Sequence, residues 1–361
     1  MPSLISLSMR ESAPRQPWGW DNVGGQKMPV LYLTEQGATL RKEGDLLVIS
    51  KEGQELKKIP AIKVEQVVVL GNVNLTTPVI GYLLEQGIDC VFCNSYGKYH
   101  GRLVSTESKY GLLRQRQLQC TTNVQSRVKI AREIVRGKLL NQRTLLLRYR
   151  REHPSASLDQ AIDGVGKALG RIDTASELGT LLGIEGAASS MYYSGIRELF
   201  KQDLGFTLRK RRPPTDPINS LLSFGYTLLV YGIQSAVYTV GLDPFLGFLH
   251  ATEYSRPSLV LDLMEEFRAI IVDSLVLRIV NTDIMGLDDF QQPEKPGKMV
   301  LITQEGIKKY VHHFEERIQT EIQHPTTGQR ATYRRCFELQ ARQLVRVITG
   351  QEENYKPFLV K

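Results

Sequence analysis

A single histidine, His250, stands twelve residues ahead of Asp262, and Glu265 and Glu266 follow in a run that is otherwise oily: Leu259, Val260, Leu261, Leu263, Met264 and Phe267. Taking a carboxylate out of water costs several kcal/mol unless a cation or a metal faces it, so this segment calls for positive charge nearby. On the helix that Arg256-Pro257-Ser258 introduces, Asp262 and Glu265 are three apart and share a face. Another acid, Glu185, lies among small residues between Leu181 and Ala188, where a neighbouring helix can approach closely. An imidazole combined with carboxylates and open positions suits Mg²⁺ or Mn²⁺; a structural zinc would prefer Cys and His. A cation so held binds a phosphoryl oxygen, offsets transition-state charge and activates a hydroxyl, which is the chemistry of phosphodiester displacement. Taken singly, His250 also reads as a hydrogen-bonded core histidine and Glu185 as half of a helix ion pair.

The elements that must position these residues come from an α+β chain of 361 residues, long enough for two domains. Residues 1–27 carry both tryptophans and no clear period, and read as a leader of unknown role. Residues 28–105 form a small β-rich domain, with β-branched runs at Val30–Thr34, Leu46–Ser50, Val67–Leu70 and Asp89–Cys93 and a turn at Lys42-Glu43-Gly44-Asp45. One helix interrupts them, capped by Thr76 or Thr77, with Pro78 in its first turn and Gly87 at its end. Residues 106–361 are mostly helical and contain the acidic cluster.

Cys90-Val-Phe-Cys93 has redox or zinc spacing, but it alternates with apolar residues as a buried strand does, and small core residues are the expectation. Four cysteines are too few for a disulfide framework, and with no cleavable signal visible a reducing cytoplasm is expected. The uncharged run Ile218–Leu242 is long enough to span a bilayer, yet Asn219, Gln234 and several Ser, Thr and Gly residues interrupt it, so a helix buried inside the domain is expected and no membrane partner.

The net charge of +8 is uneven. Between Arg114 and Arg151 eleven Lys or Arg residues face one acid, Glu133, and a second cluster runs from Arg209 through Lys210 and Arg211 to Arg212. Val128, Ala131, Ile134, Val135 and Leu139 recur at helical spacing, which predicts a docked helix with a basic outer face. Phosphate backbones reward such a surface through counterion release, and the scarcity of aromatics favours a duplex over a stacked single strand.

In ordered blocks the sequence resembles the CRISPR-associated adaptation integrase, the universal first Cas protein. The blocks are LGTLLGIEGAASSMYY from Leu178, RPPTDPINSLLSFGYTLL from Arg212, GLDPFLGFLH from Gly241, RPSLVLDLMEEFR from Arg256 and QARQLVRVITGQEENYKPF from Gln340. With MPVLYLTEQG at Met28, the resemblance covers everything after the leader. It implies a dimerising amino-terminal β-domain and a helical domain holding one divalent metal through Glu185, His250 and Glu265, with Asp262 as a supporting catalytic acid and Glu266 as an ion-pairing neighbour. It also implies metal-dependent transesterification, in which the 3′ hydroxyl of a captured DNA fragment attacks the CRISPR repeat, together with endonuclease activity. The implied partners are double-stranded DNA, a second copy of the chain and the small second Cas protein.

Lys138 and Asn141, in GKLLNQRTLLLR from Gly137, match a family block near the DNA path, and Lys138, Arg209, Lys210, Arg211, Arg212 and Arg256 are the expected phosphate contacts. Asp216 and Asn219 read equally as helix caps, and Tyr192 equally as packing or as a contact to a DNA end. The competing reading is a non-catalytic basic architectural DNA-binding protein whose buried acids only pair with arginines.

Overall fold

The computed structural model describes residues 30–64, 66–95, 99–103, 110–251, 253–291, 295 and 297–360, so the leader expected at 1–27 lies outside the described residues. The amino-terminal region comprises strands β1 (Val30–Leu33), β2 (Thr39–Glu43), β3 (Leu46–Lys51), β4 (Gln54–Pro60), β5 (Gln66–Leu70) and β6 (Asn74–Leu75), helix α1 (Thr77–Glu85), then β7 (Asp89–Cys93) and β8 (Tyr99–Leu103). The expected turn joins β2 to β3, with Gly44 in the left-handed region at φ 53°.

Two sheets result, ordered β1-β5-β7-β8 and β4-β3-β2-β6. Strands β1, β5 and β7 pair in parallel and are buried on both faces, as parallel strands usually are. Alternation divides their side chains: Leu31, Leu33, Val67, Val69 and Cys90 face the second sheet and α1, whereas Val30, Val68, Leu70, Val91 and Cys93 face the helical core. Cys90 and Cys93 therefore point to opposite sides of one strand, which removes the redox or zinc reading. Burial pushes the two thiols up to about 12 and about 11, and Cys93 Sγ donates to the Tyr231 hydroxyl at 3.0 Å.

The remainder is mostly helical: α2 (Gly111–Thr122), α3 (Val124–Arg150), α4 (Ala156–Arg171), α5 (Leu178–Arg197), α6 (Pro217–Thr239), α7 (Ser258–Met264) and α8 (Ser274–Asn281). Short strands β9 (Phe290–Gln291) and β10 (Leu301–Ile302) then pair, α9 (Gln304–Ile318) follows, and the hairpin of β11 (Glu321–Gln323) and β12 (Arg330–Thr332) leads into α10 (Tyr333–Ile348). Asp216 caps α6 by accepting from the Asn219 amide at 2.8 Å, and α6 is the buried core helix its composition predicts, with 72% of its most apolar stretch inside the protein.

Helix α3 departs from expectation. Its apolar stripe is buried as predicted, but so are Gly137, Lys138, Asn141 and Gln142, because α2, α4, α5, α7 and the segment after α7 pack around it. It is a central strut and not a helix docked by one face.

Candidate active site

Helix α7 ends at Met264, so Glu265 and Glu266 stand on the turn that follows it. The chain then passes through a wider π-type turn, Arg268–Asp273, before α8 begins. Arg317 stabilises this irregularity by donating to the Ile270 carbonyl at 2.7 Å and 3.1 Å, and the Ser274 hydroxyl donates to the same oxygen at 2.5 Å. Every residue of α7 except the partly buried Leu261 is out of water, which makes the partners of its acids decisive.

Asp262 anchors the loop that carries His250. Its Oδ2 accepts from the Phe248 and Leu249 amides at 2.5 Å and 2.9 Å, and its Oδ1 accepts from the His250 amide at 2.9 Å and meets His250 Nδ1 at 2.7 Å. That fixes the imidazole and leaves Nε2 as the nitrogen free to ligate, the arrangement by which carboxylates orient metal-binding histidines. Gly247 is needed here because a Cβ would lie 2.7 Å from Ser258 Cβ and 2.9 Å from Asp262 Oδ2. Gln117 and Arg127 secure the outside of the loop through the carbonyls of Asp243, Leu246 and Phe248, each at 2.9 Å.

Glu265 faces cations. Lys138 Nζ lies 2.7 Å from its Oε2 and Arg268 Nη1 donates to its Oε1 at 2.9 Å, all three side chains being at least nine-tenths buried. Burial alone would raise this carboxyl, but Arg268 and Lys138 hold it well below the usual carboxylate range. Lys138 also pairs with Glu185 from α5, whose Oε1 accepts from Ser189 Oγ at 2.9 Å. Burial opposes charge on Lys138 as well, and Glu265 and Glu185 together outweigh it and raise its pKa.

Glu266 behaves differently. Its Oε2 accepts from the Phe358 amide at 2.8 Å and Gln340 Nε2 at 3.1 Å, and burial pushes its carboxyl up to about 8. It is a hydrogen-bonded core acid that grips the carboxyl-terminal tail, so the ion-pairing role expected of it is corrected. Tyr192 is wholly buried and donates to Asp273 Oδ2 at 2.7 Å, so it packs.

The family model for CRISPR associated protein Cas1 matches residues 31–316. The chain belongs to the Cas1 family. It is 36% identical to CRISPR-associated endonuclease Cas1 3 of Thermus thermophilus, with 94% of this chain and 99% of that protein aligned. A Cas1 endonuclease of Rhodospirillum rubrum is also 36% identical, with 92% and 98% aligned. Among solved structures, a Cas1 protein from Thermotoga maritima superposes with TM-score 0.78 at 29% identity, covering 91% of this chain and 99% of that one. A casposase bound to integration product shares the fold at TM-score 0.80 and 23% identity, covering 91% and 93%. The chain is thus a CRISPR-associated endonuclease with the Cas1 fold, a β-rich region followed by a helical one, and the purely architectural reading falls away.

Of the residues expected to form a Cas1 metal site, Glu185 and Glu265 are brought onto one cation, the Lys138 ammonium, while His250 is held by Asp262. This donor set fits a hard divalent ion: a carboxylate from α5 and one from the turn after α7 already converge on a positive charge, and Glu265 Oε2 is buried without an aligned hydrogen bond. Among the described residues, a group of three or more His, Cys, Asp or Glu ligand atoms all within 4.8 Å of one another occurs only at His312, His313 and Glu316, so Glu185, His250 and Glu265 are more widely spaced. The Arg278 guanidinium lies 3.7 Å from Glu316 Oε2, so that group already has a positive neighbour.

The basic residues divide. Lys138, expected on a DNA path, is buried against the two glutamates, a correction that follows from its position on the inner face of α3. Arg209 is committed to Asn219 Oδ1 at 2.8 Å and Ser223 Oγ at 3.0 Å, and Arg256 donates to Glu253 Oε2 at 3.1 Å. Lys210, Arg211 and Arg212 are exposed. Within the basic stretch, Arg127 and Arg132 donate to the carbonyls of Phe248 and Ala175, and Arg136 pairs with Glu133 and Asp173, so much of that charge is structural. The small residues around Glu185 also differ from expectation: Gly183 and Gly186 face open space and not a helix. Sequence reasoning missed Arg268 and Asp273, the cation under Glu265 and the acid behind it; Arg268 was legible only as a positive charge three residues from Glu265.

Proposed function

We propose that the protein is a divalent-metal-dependent DNA endonuclease and integrase of CRISPR adaptation, with Glu185, His250 Nε2 and Glu265 as the ligands of Mg²⁺ or Mn²⁺. The observation that carries this reading is the convergence of Glu185 and Glu265, eighty positions apart in the chain, on one buried positive charge. When bound, the ion supplies Lewis-acid stabilisation of phosphoryl charge and activation of an attacking hydroxyl. Asp262 keeps His250 in the tautomer with its proton on Nδ1, so that Nε2 presents a lone pair. Arg268 keeps Glu265 ionised beneath the site, and Lys138 holds Glu185 and Glu265 together from the inner face of α3. The open surface at Gly183 and Gly186 beside Glu185 gives a phosphodiester a way in. The nucleophile in joining is the 3′ hydroxyl of the captured fragment, and no covalent protein intermediate is needed.

Exposed Lys210, Arg211 and Arg212, with Arg256, are the surface proposed to bind duplex phosphates. The proposed partners are double-stranded DNA, a second copy of the chain through the β-rich region, and the small second Cas protein, in the cytoplasm. A solved Cas6-RT-Cas1–Cas2 complex that shares this fold at TM-score 0.79 and 25% identity supports the last. Strand joining of a short duplex with frayed 3′ ends into a repeat-bearing plasmid tests the reading. Joining should require Mg²⁺ or Mn²⁺ and vanish in Glu185→Ala with DNA binding retained; undiminished joining by that variant would sink it.

A further inference from the structure

The residues after α10 return to the back of the turn that carries Glu265. Asn141 Nδ2, on α3, donates at once to the Glu266 carbonyl at 2.9 Å and to the Phe358 carbonyl at 2.7 Å, and its Oδ1 accepts from the Val360 amide at 3.1 Å. The Glu266 carboxyl completes the stitch by accepting from the Phe358 amide at 2.8 Å. Phe358 is fully buried, with its ring centroid 4.7 Å from that of Phe267, and Gln340 ties Glu266 to Tyr355 and to the Lys356 carbonyl. Gly137 makes room for the strand: a Cβ there would sit 2.5 Å from Pro357 Cβ and 3.2 Å from Glu266 Cγ. Glycine in mid-helix costs about 1 kcal/mol relative to alanine, so this close approach is bought at the expense of α3.

We infer that the carboxyl-terminal strap, residues 355–360, is a brace for the metal site, with Asn141 as the positioning residue that sets Glu265 through Glu266. The geometry gives a direct route. Gly137 and Asn141 lie on either side of Lys138 on α3, so one helix segment meets Glu265 through its lysine and fastens the backbone next to Glu265 through its asparagine. The strap touches neither Glu265 nor Glu185 with a charged group, so its effect is exerted through the placement of the turn. Preorganised ligands bind a cation tightly because they need no rearrangement, and residues that orient ligands typically contribute 10–100-fold in affinity. The inference rests on the assignment of Glu265 as a ligand.

The test compares full-length protein, Asn141→Ser, a chain ending at Asn354 and Glu265→Ala. Each is titrated with Mn²⁺ alone, reading free Mn²⁺ by electron paramagnetic resonance, and its nuclease activity is followed as a function of Mn²⁺ concentration. The brace requires weaker Mn²⁺ binding by ~10-fold or more in Asn141→Ser and in the shortened chain, with the half-saturating metal concentration rising in step and activity at saturating metal falling far less. A merely structural role would lower folded protein and maximal rate together and leave the affinity of the folded fraction unchanged, which overturns the proposal. Asn141→Ser decides the matter if the shortened chain does not fold. Loss of binding in Glu265→Ala beside unchanged binding in Asn141→Ser overturns the brace alone; unchanged binding in Glu265→Ala removes the ligand assignment and the brace with it.

Discussion

Glu265 and Glu266 are neighbours on one turn and equally removed from water, yet they occupy opposite electrostatic worlds. In front of the turn, Glu265 meets Lys138 and Arg268 and is held ionised; behind it, Glu266 meets an amide, a glutamine and a tyrosine and is pushed up to about 8. Burial is common to both, so the partner and not the depth determines the charge. The cation-filled side keeps Glu265 an anion. The hydrogen-bonded side is built to hold a strand of backbone, a task for which neutrality is no handicap.

The sharpest way to break this comparison is to make one substitution twice. Glu265→Gln takes the carboxylate from the buried Arg268 and leaves Lys138 with Glu185 alone, and should cost ~3–5 kcal/mol, whereas Glu266→Gln keeps an acceptor for the Phe358 amide and should cost no more than ~1 kcal/mol, both read from urea unfolding near neutral pH. Equal losses would mean that the two faces are not distinct. A smaller effect is expected at Asp262→Asn, which puts an amide NH2 in place of one carboxylate oxygen, opposite either the Phe248 and Leu249 amides or the His250 amide and Nδ1. Mn²⁺ affinity should drop 10–100-fold and stability by ~1–3 kcal/mol, and intact affinity would show that His250 needs no anchor.

The smallest effect concerns Asp273, whose carboxyl is raised by burial despite the Tyr226 and Tyr192 hydroxyls that donate to it. Because the folded chain keeps this proton to higher pH than the unfolded chain, the unfolded state binds fewer protons between the ordinary aspartate value and the raised one, and stability falls as pH rises through that window. Asp273→Asn should therefore gain stability relative to the parent with rising pH across it, as followed by thermal unfolding. A pH-independent difference would place Asp273 with Glu265 among the ionised acids.

What could be read from the residues depended on how local the cause was. The α6 core helix, the Asp216 cap, the α1 boundaries near Thr76 and Gly87 and the buried CVFC strand follow from patterns within a few residues. Strand β4 is hard to read from its residues because Gln54–Pro60 is mostly exposed and carries Lys57 and Lys58, the kind of charge that protects a sheet edge and blurs alternation. Periodicity located the apolar stripe of α3 but said nothing about what packs on its other sides. Hence Lys138 read as surface charge when its partners, Glu185 and Glu265, come from far along the chain. The acids of the site were legible as an energetic anomaly. Which of them would be ionised was not, since that depends on Arg268, Gln340 and the Phe358 amide arriving in space.

The β1-β5-β7-β8 sheet, apolar on both sides, has a mechanical consequence. Gln66 and Cys93 on this sheet bond to Tyr231 of α6, and Val68, Leu70 and Val91 belong to the same core as the helices. Swinging the β-rich region against the helical one would open an oily seam to water, so a hinge between them is disfavoured and the two should travel as a single rigid body. Strain applied to the outer sheet, β4-β3-β2-β6, would then pass to the helix bundle through the inner sheet that both pack against.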